Sequence, residues 1–292
     1  MEPVMLQKSF VLKVFFLFIL GCVSQKTFSS GISEYTENKI DDFLNIHMIL
    51  TSYDDKNLAL EKLNEIKSGY DKSLKEKALD FEQELLILDT LYLMESYHYI
   101  VDPDVNRDAL RPQMKAQMIQ NEKFISKHPK DASKWMYLFT GDVMSFYMTR
   151  SVAATFRYGM RVKKLYETAL SIDPALTNAN LNLGSWMFYA PRIVGGGIDK
   201  TIKFYEKALS GARIDGEKYA ACIQLSQYYF EKKKMQSVEK YLSEAEKLIP
   251  GGKEIALIRK INSMGISLFQ YNRNKAGIDE KMKESEMDED DR

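Results

Sequence analysis

An almost unbroken helical periodicity constrains this chain more than any other feature. From Glu34 onward, apolar residues recur at the spacing of one helix face. The interruptions are short and hold proline or paired glycines, as in VDPDVN, KHPKD, SIDPAL and LIPGGK. Proline ends helices and glycine follows their C-termini. No segment shows the period of two that marks a half-buried strand. The sequence therefore predicts an all-α fold.

The predicted helices divide the chain into two structured regions. They lie near 34–51, 56–68, 72–100, 107–127, 131–147, 152–171, 176–189, 198–210, 216–231, 235–247 and 252–269. Residues 33–130 form an N-terminal helical region with degenerate repeats, and residues 131–269 form clearer repeats with a closing helix. Residues 270–292 are polar and acidic, which predicts a disordered tail. A partner-binding role for this tail is the alternative.

Three helix ends repeat one pattern, LYETALSIDP, FYEKALSGAR and YLSEAEKLIP. In each, a large residue precedes an alanine by three positions: Tyr166 and Ala169, Tyr205 and Ala208, Leu242 and Ala245. Upstream of each pattern, a small residue precedes aromatic residues. It is Gly184 in the second unit and Ser226 in the third, and Gly141 is the candidate in the first. The spacings resemble the tetratricopeptide repeat over about 131–250. That resemblance implies helical hairpins stacked into a solenoid with a continuous core.

The stretch FYAPRIVGGGIDKTIKFYEKAL places three glycines before a lysine-threonine pair. A phosphate-binding loop has G-x-x-x-x-G-K-[ST] between a strand and a helix. Here Asp199 directly precedes Lys200, where its carboxylate would repel a phosphate. Gly195 lies one residue too close to the lysine, and the preceding segment has helical character. The sequence therefore argues against nucleotide binding.

The same glycines fit the turn of an enlarged helical hairpin. Pro191 stops the preceding helix, the glycines allow positive φ, and Asp199 suits the first turn of the next helix. The loop is five residues longer than the gap-free third unit requires. Insertions in helical repeats often collect on a binding face. A contact loop and a structural spacer both remain open.

This region also resembles the T-component family, periplasmic tetratricopeptide proteins associated with tripartite (TRAP-type) transporters. The resemblance covers about 165–269, and the helix ahead of it, KWMYLFTGDVMSFYMTRSVAATF, matches the family only loosely. The matching residues are Pro191, Gly196, Gly197, Tyr205, Glu206, Ala208, Leu209 and Ser210. The resemblance implies a solenoid that binds a periplasmic solute-binding protein and holds a hydrophobic ligand in a pore. It also implies homotrimers as one assembly.

The N-terminus predicts a targeting segment. Lys8 and Lys13 precede the apolar run VFFLFIL. This run is too short to span the ~30 Å hydrocarbon core of a bilayer. The run ends in ILGC, which resembles the lipobox of bacterial lipoproteins, although Leu20 departs from the usual small residue. The resemblance implies a signal peptide over 1–21, acyl chains such as palmitate on Cys22, and a tether over 22–32. An ordinary signal peptide or anchor helix is the alternative.

The residue types that carry catalysis are not arranged for it. His47, His98 and His128 lack the H-E-x-x-H pattern, no cysteine pair has metal-ligand spacing, and no G-x-S-x-G elbow occurs. Cys222 lies in an apolar helical run, which predicts an inert buried thiol. The formal net charge is zero, so no global field favours nucleic acid. The sequence predicts neither an enzyme, a metal site nor a cofactor.

The run WMYLFTGDVMSFYMTR has two interpretations, packing between helical layers or an adaptable apolar groove. The candidate contact residues are Trp135, Tyr137, Trp186, Tyr189, Pro191, Arg192, Gly195, Gly196 and Gly197. The leading functional hypothesis is a lipid-anchored, periplasm-facing envelope scaffold that contacts a protein partner, such as a solute-binding protein. The alternative is a carrier of a small hydrophobic ligand. A continuous apolar cavity under Trp135 to Met148 would favour the carrier, and a shallow solvent-filled concave face would favour the scaffold.

Overall fold

A computed structural model describes residues 32–290 except 54, 102–105 and 149–150. For 98–101, 107 and 283–290 only the backbone is described. The predicted signal peptide, Cys22 and nearly all of the tether therefore lie outside the described residues. Within them, every regular element is helical. The predicted all-α, helical-hairpin solenoid is confirmed.

Thirteen α-helices follow one another in the described part of the chain. They are α1 (Glu34–Leu50), α2 (Lys56–Glu76), α3 (Phe81–Val101), α4 (Arg111–Lys127), α5 (Lys134–Met148), α6 (Val152–Ile172), α7 (Thr177–Tyr189), α8 (Ile202–Gly211), α9 (Asp215–Glu231), α10 (Met235–Leu248), α11 (Lys253–Ser263), α12 (Leu268–Arg273) and α13 (Lys275–Asp290). Single-turn 3₁₀ helices lie at Arg107–Leu110, Arg192–Val194 and Ile198–Lys200.

The break between the second and third helices was predicted in the wrong place. The sequence suggested an end at residue 68, before Gly69, whereas α2 continues to Glu76. Tyr70 explains the difference, because its ring is fully buried and its hydroxyl donates to the Lys39 carbonyl of α1. An isolated helical glycine costs only ~1 kcal/mol relative to alanine, so this tertiary contact outweighs it.

The C-terminal segment differs from its prediction in the same way. A disordered tail was predicted over 270–292, whereas α12 continues to Arg273 and α13 runs from Lys275 to Asp290. Tyr271, Ile278 and Met282 are buried against the C-terminal core. Ile278 and Met282 are four residues apart, so they form one helix face that the polar composition obscured.

Consecutive helices pack as hairpins, and two hairpins share one joint. A Cβ on Gly141 in α5 would lie 2.5 Å from Cε1 of Tyr166 in α6, and a Cβ on Gly184 in α7 would lie 2.5 Å from Cε1 of Tyr205 in α8. The alanines that the repeat pattern singled out in α6, α8 and α10 are 0% exposed. The predicted crossing of small and large residues is therefore confirmed.

Helix α1 departs from this neighbour-by-neighbour order. It packs against α3 and also against α9, about 170 residues further along the chain. The ring of Phe43 in α1 lies 5.7 Å from that of Phe139 in α5. One hydrophobic core continues from α1 to α7 across residue 130. The first helix therefore lies across later hairpins and encloses space between itself and them.

Candidate ligand cavity

Specific polar contacts hold α1 against α9 and α11. Asn45 Oδ1 accepts from the Gly216 amide at 2.8 Å, and Asp41 pairs with Arg213 at 2.9 Å. A Cβ on Gly216 would lie 2.5 Å from the Leu44 carbonyl oxygen, so glycine is required for this approach. At the end of α1, the Lys253 amide donates to the Thr51 carbonyl at 3.2 Å. The position of α1 is thus fixed at both ends of its C-terminal half.

A cavity of about 420 Å³ lies between α1 and the helices it crosses. This volume falls within the ~300–1,000 Å³ of small-molecule sites. Its wall is mixed, with apolar side chains beside carboxylates, amides and hydroxyls. The apolar part includes Phe43, Leu93, Leu181 and Ile223, and the polar part includes Asp142, Ser145, Asn178, Asn182, Ser185 and Gln224. The lining suits a molecule with an apolar body and polar groups.

Asp142 provides the most distinctive polar group in this wall. Its Oδ1 accepts from the Tyr166 hydroxyl at 2.8 Å and from Asn182 Nδ2 at 2.7 Å. Burial raises the pKa of Asp142 to about 7, although these two donors act in the opposite direction. Both bonds end on Oδ1, which leaves Oδ2 for a donor on a ligand. The carboxyl group therefore titrates near neutral pH inside the cavity wall.

Gln224 adds a second acceptor to the cavity wall. Its Oε1 atom is buried and has no hydrogen-bond partner among the described atoms. A buried acceptor without a donor costs ~1–3 kcal/mol. Because this oxygen atom is fully buried, a ligand in the cavity does not reach it in this conformation. Oδ2 of Asp142 is therefore the acceptor that the cavity offers to a ligand with a hydrogen-bond donor.

A separate polar cluster closes the cavity where α1 meets α11. The ring nitrogen Nε2 of His47 lies 3.1 Å from both carboxylate oxygens of Glu254, and the Tyr219 hydroxyl donates to Glu254 Oε2 at 2.8 Å. Burial opposes the charged form of His47, but the Glu254 carboxylate outweighs this and raises its pKa. Burial likewise opposes charge on Glu254, yet His47 and Tyr219 lower its pKa. His47, Glu254 and Tyr219 thus satisfy one another's hydrogen-bonding groups and hold α1 against α9 and α11.

Two of the predicted contact residues are core residues. Trp135 is 1% exposed and Tyr137 is 7% exposed. The Trp135 ring lies 6.2 Å from that of Phe139, and the Tyr137 hydroxyl donates to the Pro129 carbonyl at 3.1 Å. The N-terminal half of this aromatic helix therefore fits the packing interpretation and not the groove interpretation. The cavity instead touches the later turn that holds Asp142 and Ser145.

The glycine loop bonds to its own chain. The Gly197 amide donates to the Met187 carbonyl at 2.7 Å, the Gly196 amide to the Pro191 carbonyl at 3.1 Å, and Lys200 Nζ to the Gly195 carbonyl at 2.9 Å. These amides and this ammonium group have partners, which agrees with the sequence argument against a phosphate loop. Gly195 and Gly197 have φ values of 96° and 141°, as predicted.

Gly196 is required in this geometry for a different reason from its two neighbours in the loop. Its φ is not positive, but a Cβ there would lie 1.8 Å from the Ala190 carbonyl oxygen. Glycine is therefore required at 196 because a side chain would collide with the Ala190 carbonyl, and not because of the backbone dihedral angles. The loop packs tightly at its base while its tip projects.

The other predicted contact residues lie around this loop. Trp186 is half-buried and donates through Nε1 to the Gly159 carbonyl of α6 at 2.9 Å. Tyr189 is 42% exposed, and the guanidinium of Arg273 lies 4.9 Å from the centre of its ring. Pro191 and Arg192 are exposed. The nearby Ile193 is 93% exposed, the most exposed large apolar residue of the described chain. None of these residues lines the cavity.

The described residues show no arrangement suited to metal chemistry. No group of three His, Cys, Asp or Glu side chains among them is placed to hold a metal ion. Cys222 is buried, and burial raises the pKa of its thiol to about 11, so it is a poor nucleophile. The cavity contains acceptors, hydroxyls and apolar walls, which together suit binding.

Sequence reasoning missed the residues that line the cavity. Asp142 carried one signal, because it is the only charged residue between Lys134 and Met148 in an otherwise apolar helix. His47 and Glu254 carried none, since they are 207 positions apart and meet only because α1 folds back. Asn178 and Asn182 lie one turn apart on α7 and resemble ordinary polar helix positions.

The described residues contain no helix of the length and apolar character that crossing a membrane requires. In comparisons with known proteins, no family model matches the chain, and no curated protein matches it either.

Proposed function

We propose that this protein is a non-enzymatic carrier that binds a small amphiphilic molecule in the cavity beneath α1. The observation that supports this most is the cavity itself, about 420 Å³ of partly open space beneath a helix that crosses the hairpins. The proposal follows the carrier alternative from the sequence but changes the ligand. Because the wall is not continuously apolar, a purely hydrophobic molecule would leave Oδ2 of Asp142 without a donor.

The ligand that best fits the wall has a hydrogen-bond donor, preferably an ammonium group, on a short apolar body. The donor would bond to Asp142 Oδ2, and the apolar body would contact Phe43, Leu181 and Ile223. An ammonium group beside Asp142 would also stabilise the charged carboxylate that burial disfavours. The protein would thereby bind its ligand more tightly above pH 7 than below it.

Calorimetry with three six-carbon probes tests this proposal. At pH 8 we expect hexylamine to bind, and hexanol and hexanoate to bind more weakly or not at all. Asp142→Asn should weaken hexylamine binding about tenfold or more, because a hydrogen bond to a charged group contributes ~1.5–3 kcal/mol. Binding that survives unchanged in Asp142→Asn would refute the assignment of Asp142.

Asp89 supplies the matched control. It is fully buried, its carboxylate accepts from Asn121 Nδ2 at 2.8 and 2.9 Å, and burial raises its pKa to about 8. Asp89 does not line the cavity. Asp89→Asn therefore removes a comparable buried carboxyl and should leave hexylamine binding intact. Equal loss in both variants would indicate a general effect on the fold.

We also propose, as a second function, that the loop at residues 189–197 contacts a protein partner. The exposed Ile193 and Val194, at 93% and 41%, support this contact interpretation over a spacer. The resemblance to the T-component family makes a periplasmic solute-binding protein the partner of choice. The envelope scaffold of the leading sequence hypothesis would then act through this loop, since α1 covers the face that holds the cavity.

The structure improves the experiment for this second function. Deleting the glycines would remove amides that bond to Met187 and Pro191, so it would disturb the fold. Ile193→Asp changes only an exposed tip. We expect it to lose partners captured by cross-linking and affinity purification from cells, whereas Met235→Asp, at a residue 54% exposed on α10, should keep them. An identical partner set for both variants would contradict the contact role.

Attachment to the bacterial envelope through Cys22 is a further part of the proposal, supported by the lipobox-like sequence. We expect Cys22→Ala to move the protein from the membrane fraction to the soluble fraction. Retention of this variant in membranes would contradict lipid attachment and favour an anchor helix.

A further inference from the structure

The solvent-facing sides of α4 and α6 carry an excess of positive charge that the whole chain lacks. The chain is neutral overall, but these two helices contain eight basic and two acidic residues, a net charge of +6. Both acidic residues are paired within this surface, Glu122 with Arg161 and Glu167 with Lys163. The Glu122–Arg161 pair also joins the two helices side by side. We call this surface the basic face.

Apolar side chains project from the basic face. Val152, Phe156 and Met160 lie four residues apart on α6 and are 75%, 87% and 53% exposed. Their spacing places them in one row along the helix. The exposed residue Lys164 continues that row, and Arg157 lies beside it. On α4, Ile119 is 53% exposed. An exposed row of this kind within a cationic surface calls for a covering partner.

We propose that the basic face docks on a lipid bilayer that contains anionic headgroups. Helices that lie on membranes combine exposed Phe or Leu side chains with Lys and Arg, which is the composition of α6. Phe156 and Val152 would enter the boundary between headgroups and acyl chains. Arg157, Lys164 and the basic residues of α4 would contact headgroup phosphates. This docking is a membrane contact separate from any lipid at Cys22.

A bilayer fits the basic face better than the outer helices of a second copy do. The outer helices α8 and α10 contain four basic and four acidic residues, a net charge of zero. The acidic surface that a second copy could offer is α13, with seven acidic and three basic residues, and sedimentation experiments test that occupant. The apolar row also stands on an exposed helix face, which a fluid bilayer accommodates without a preformed pocket. An anionic bilayer satisfies both the charge and the row.

Quenching of a tryptophan reporter by brominated lipids tests the proposal on the full chain. Phe156→Trp introduces the reporter on α6, and Met235→Trp places a matched one on α10. The native Trp135 and Trp186 contribute the same background to both variants. In vesicles of equal parts phosphatidylglycerol and brominated phosphatidylcholine, we expect quenching of Phe156→Trp well above that of Met235→Trp. Any anchor at Cys22 holds both variants equally, so the difference measures docking.

Charge variants then test the electrostatic part. Each basic residue at an anionic surface contributes about fivefold to partitioning. Arg157→Gln with Lys164→Gln should thus reduce the docked fraction about 25-fold and remove most quenching of the α6 reporter. Lys203→Gln with Lys207→Gln on α8 should keep it. Vesicles of phosphatidylcholine alone should give little quenching.

Three results would overturn the proposal. They are equal quenching at the two reporter positions, quenching that does not depend on phosphatidylglycerol, and a dimer in sedimentation experiments that Phe156→Glu dissociates. The last result would assign the face to a second copy. Circular dichroism should show an unchanged fold in each variant, because every substituted side chain is exposed.

Discussion

The hairpins α5–α6 and α7–α8 share one joint and differ beside it. In both hairpins, the ring of a buried tyrosine on the second helix packs on a glycine of the first helix. A Cβ added to either glycine would lie 2.5 Å from Cε1 of that ring. The next residue is Asp142 in the first hairpin and Ser185 in the second. The Tyr166 hydroxyl accordingly donates to a carboxylate at 2.8 Å, and the Tyr205 hydroxyl pairs with Ser185 at 3.3 Å.

This difference separates what the repeat needs from what the cavity needs. The glycine and the tyrosine are common to both hairpins, so they serve helix crossing. The carboxylate occurs in one hairpin only, and burial raises its pKa to about 7, which costs stability at neutral pH. A residue that costs stability and faces a cavity is better explained by binding than by packing.

The largest effects should come from removing the shared rings. Tyr166→Ala and Tyr205→Ala should each lower the free energy of unfolding by ~3–5 kcal/mol, as for other large buried aromatic residues. Because the joint is the same, the two losses should agree within about 1 kcal/mol. Urea unfolding followed by circular dichroism measures both. A large loss for one variant alone would show that the two hairpins are not equivalent.

Adding a methyl group at each joint should have a smaller effect. Gly141→Ala and Gly184→Ala would press a Cβ into the ring, at a cost of ~1–3 kcal/mol that the better helix propensity of alanine partly offsets. We expect a net destabilisation of up to about 2 kcal/mol for each. Gly159→Ala is the matched control, because it lies in α6 with no atom within 4 Å of its added Cβ.

Gly159→Ala should therefore leave stability unchanged or raise it by up to ~1 kcal/mol. Denaturant midpoints for the three variants test this contrast. If Gly141→Ala and Gly184→Ala behaved as Gly159→Ala does, the close approach would not be a requirement of the joint. A double variant that pairs Gly184→Ala with Tyr205→Leu should recover part of the loss, since the smaller side chain leaves room.

The sequence predicted these joints because they are local. Gly184, Tyr205 and Ala208 lie within one hairpin, and the three-residue step from the large residue to the alanine repeats along the chain. Helix type was predictable for the same reason. Helix ends were less so, as Gly69 shows, because the contact between Tyr70 and α1 overrides a local break. The tail was misjudged because two apolar residues suffice to dock α13.

The cavity was beyond sequence reasoning because it depends on a contact between distant segments. No periodicity reveals that α1 packs on α9, or that Asn45 meets Gly216. That single placement covers part of a concave surface and leaves a partly open cavity, and it determines which side chains of α5 and α7 face that cavity. Trp135 shows the opposite case. The aromatic and methionine content of its helix suggested a groove, whereas the residue itself lies in a filled core.

The smallest expected effect is the sharpest test of the difference between the hairpins. Tyr166→Phe keeps the ring and removes the donor to Asp142. Because the pKa of Asp142 is raised to about 7, its carboxyl group is protonated at pH 5 and charged at pH 8. A hydrogen bond to a charged group contributes ~1.5–3 kcal/mol and one to a neutral group ~0.5–1.5 kcal/mol. The loss in Tyr166→Phe should therefore grow by about 1 kcal/mol from pH 5 to pH 8.

Tyr205→Phe provides the comparison, because Ser185 does not titrate. Its loss should stay near ~0.5 kcal/mol at both pH values, given the longer 3.3 Å contact. The sign follows from the raised pKa of Asp142: charging this buried carboxylate costs folded-state stability as pH rises from 3.8 toward 7, and the Tyr166 hydroxyl reduces that cost. Parallel pH profiles for the two variants, with a loss in Tyr166→Phe no larger than ~0.5–1.5 kcal/mol, would mean that Asp142 stays protonated throughout. Its role in the cavity would then be that of a donor, and ligands with acceptors would be the ones to test.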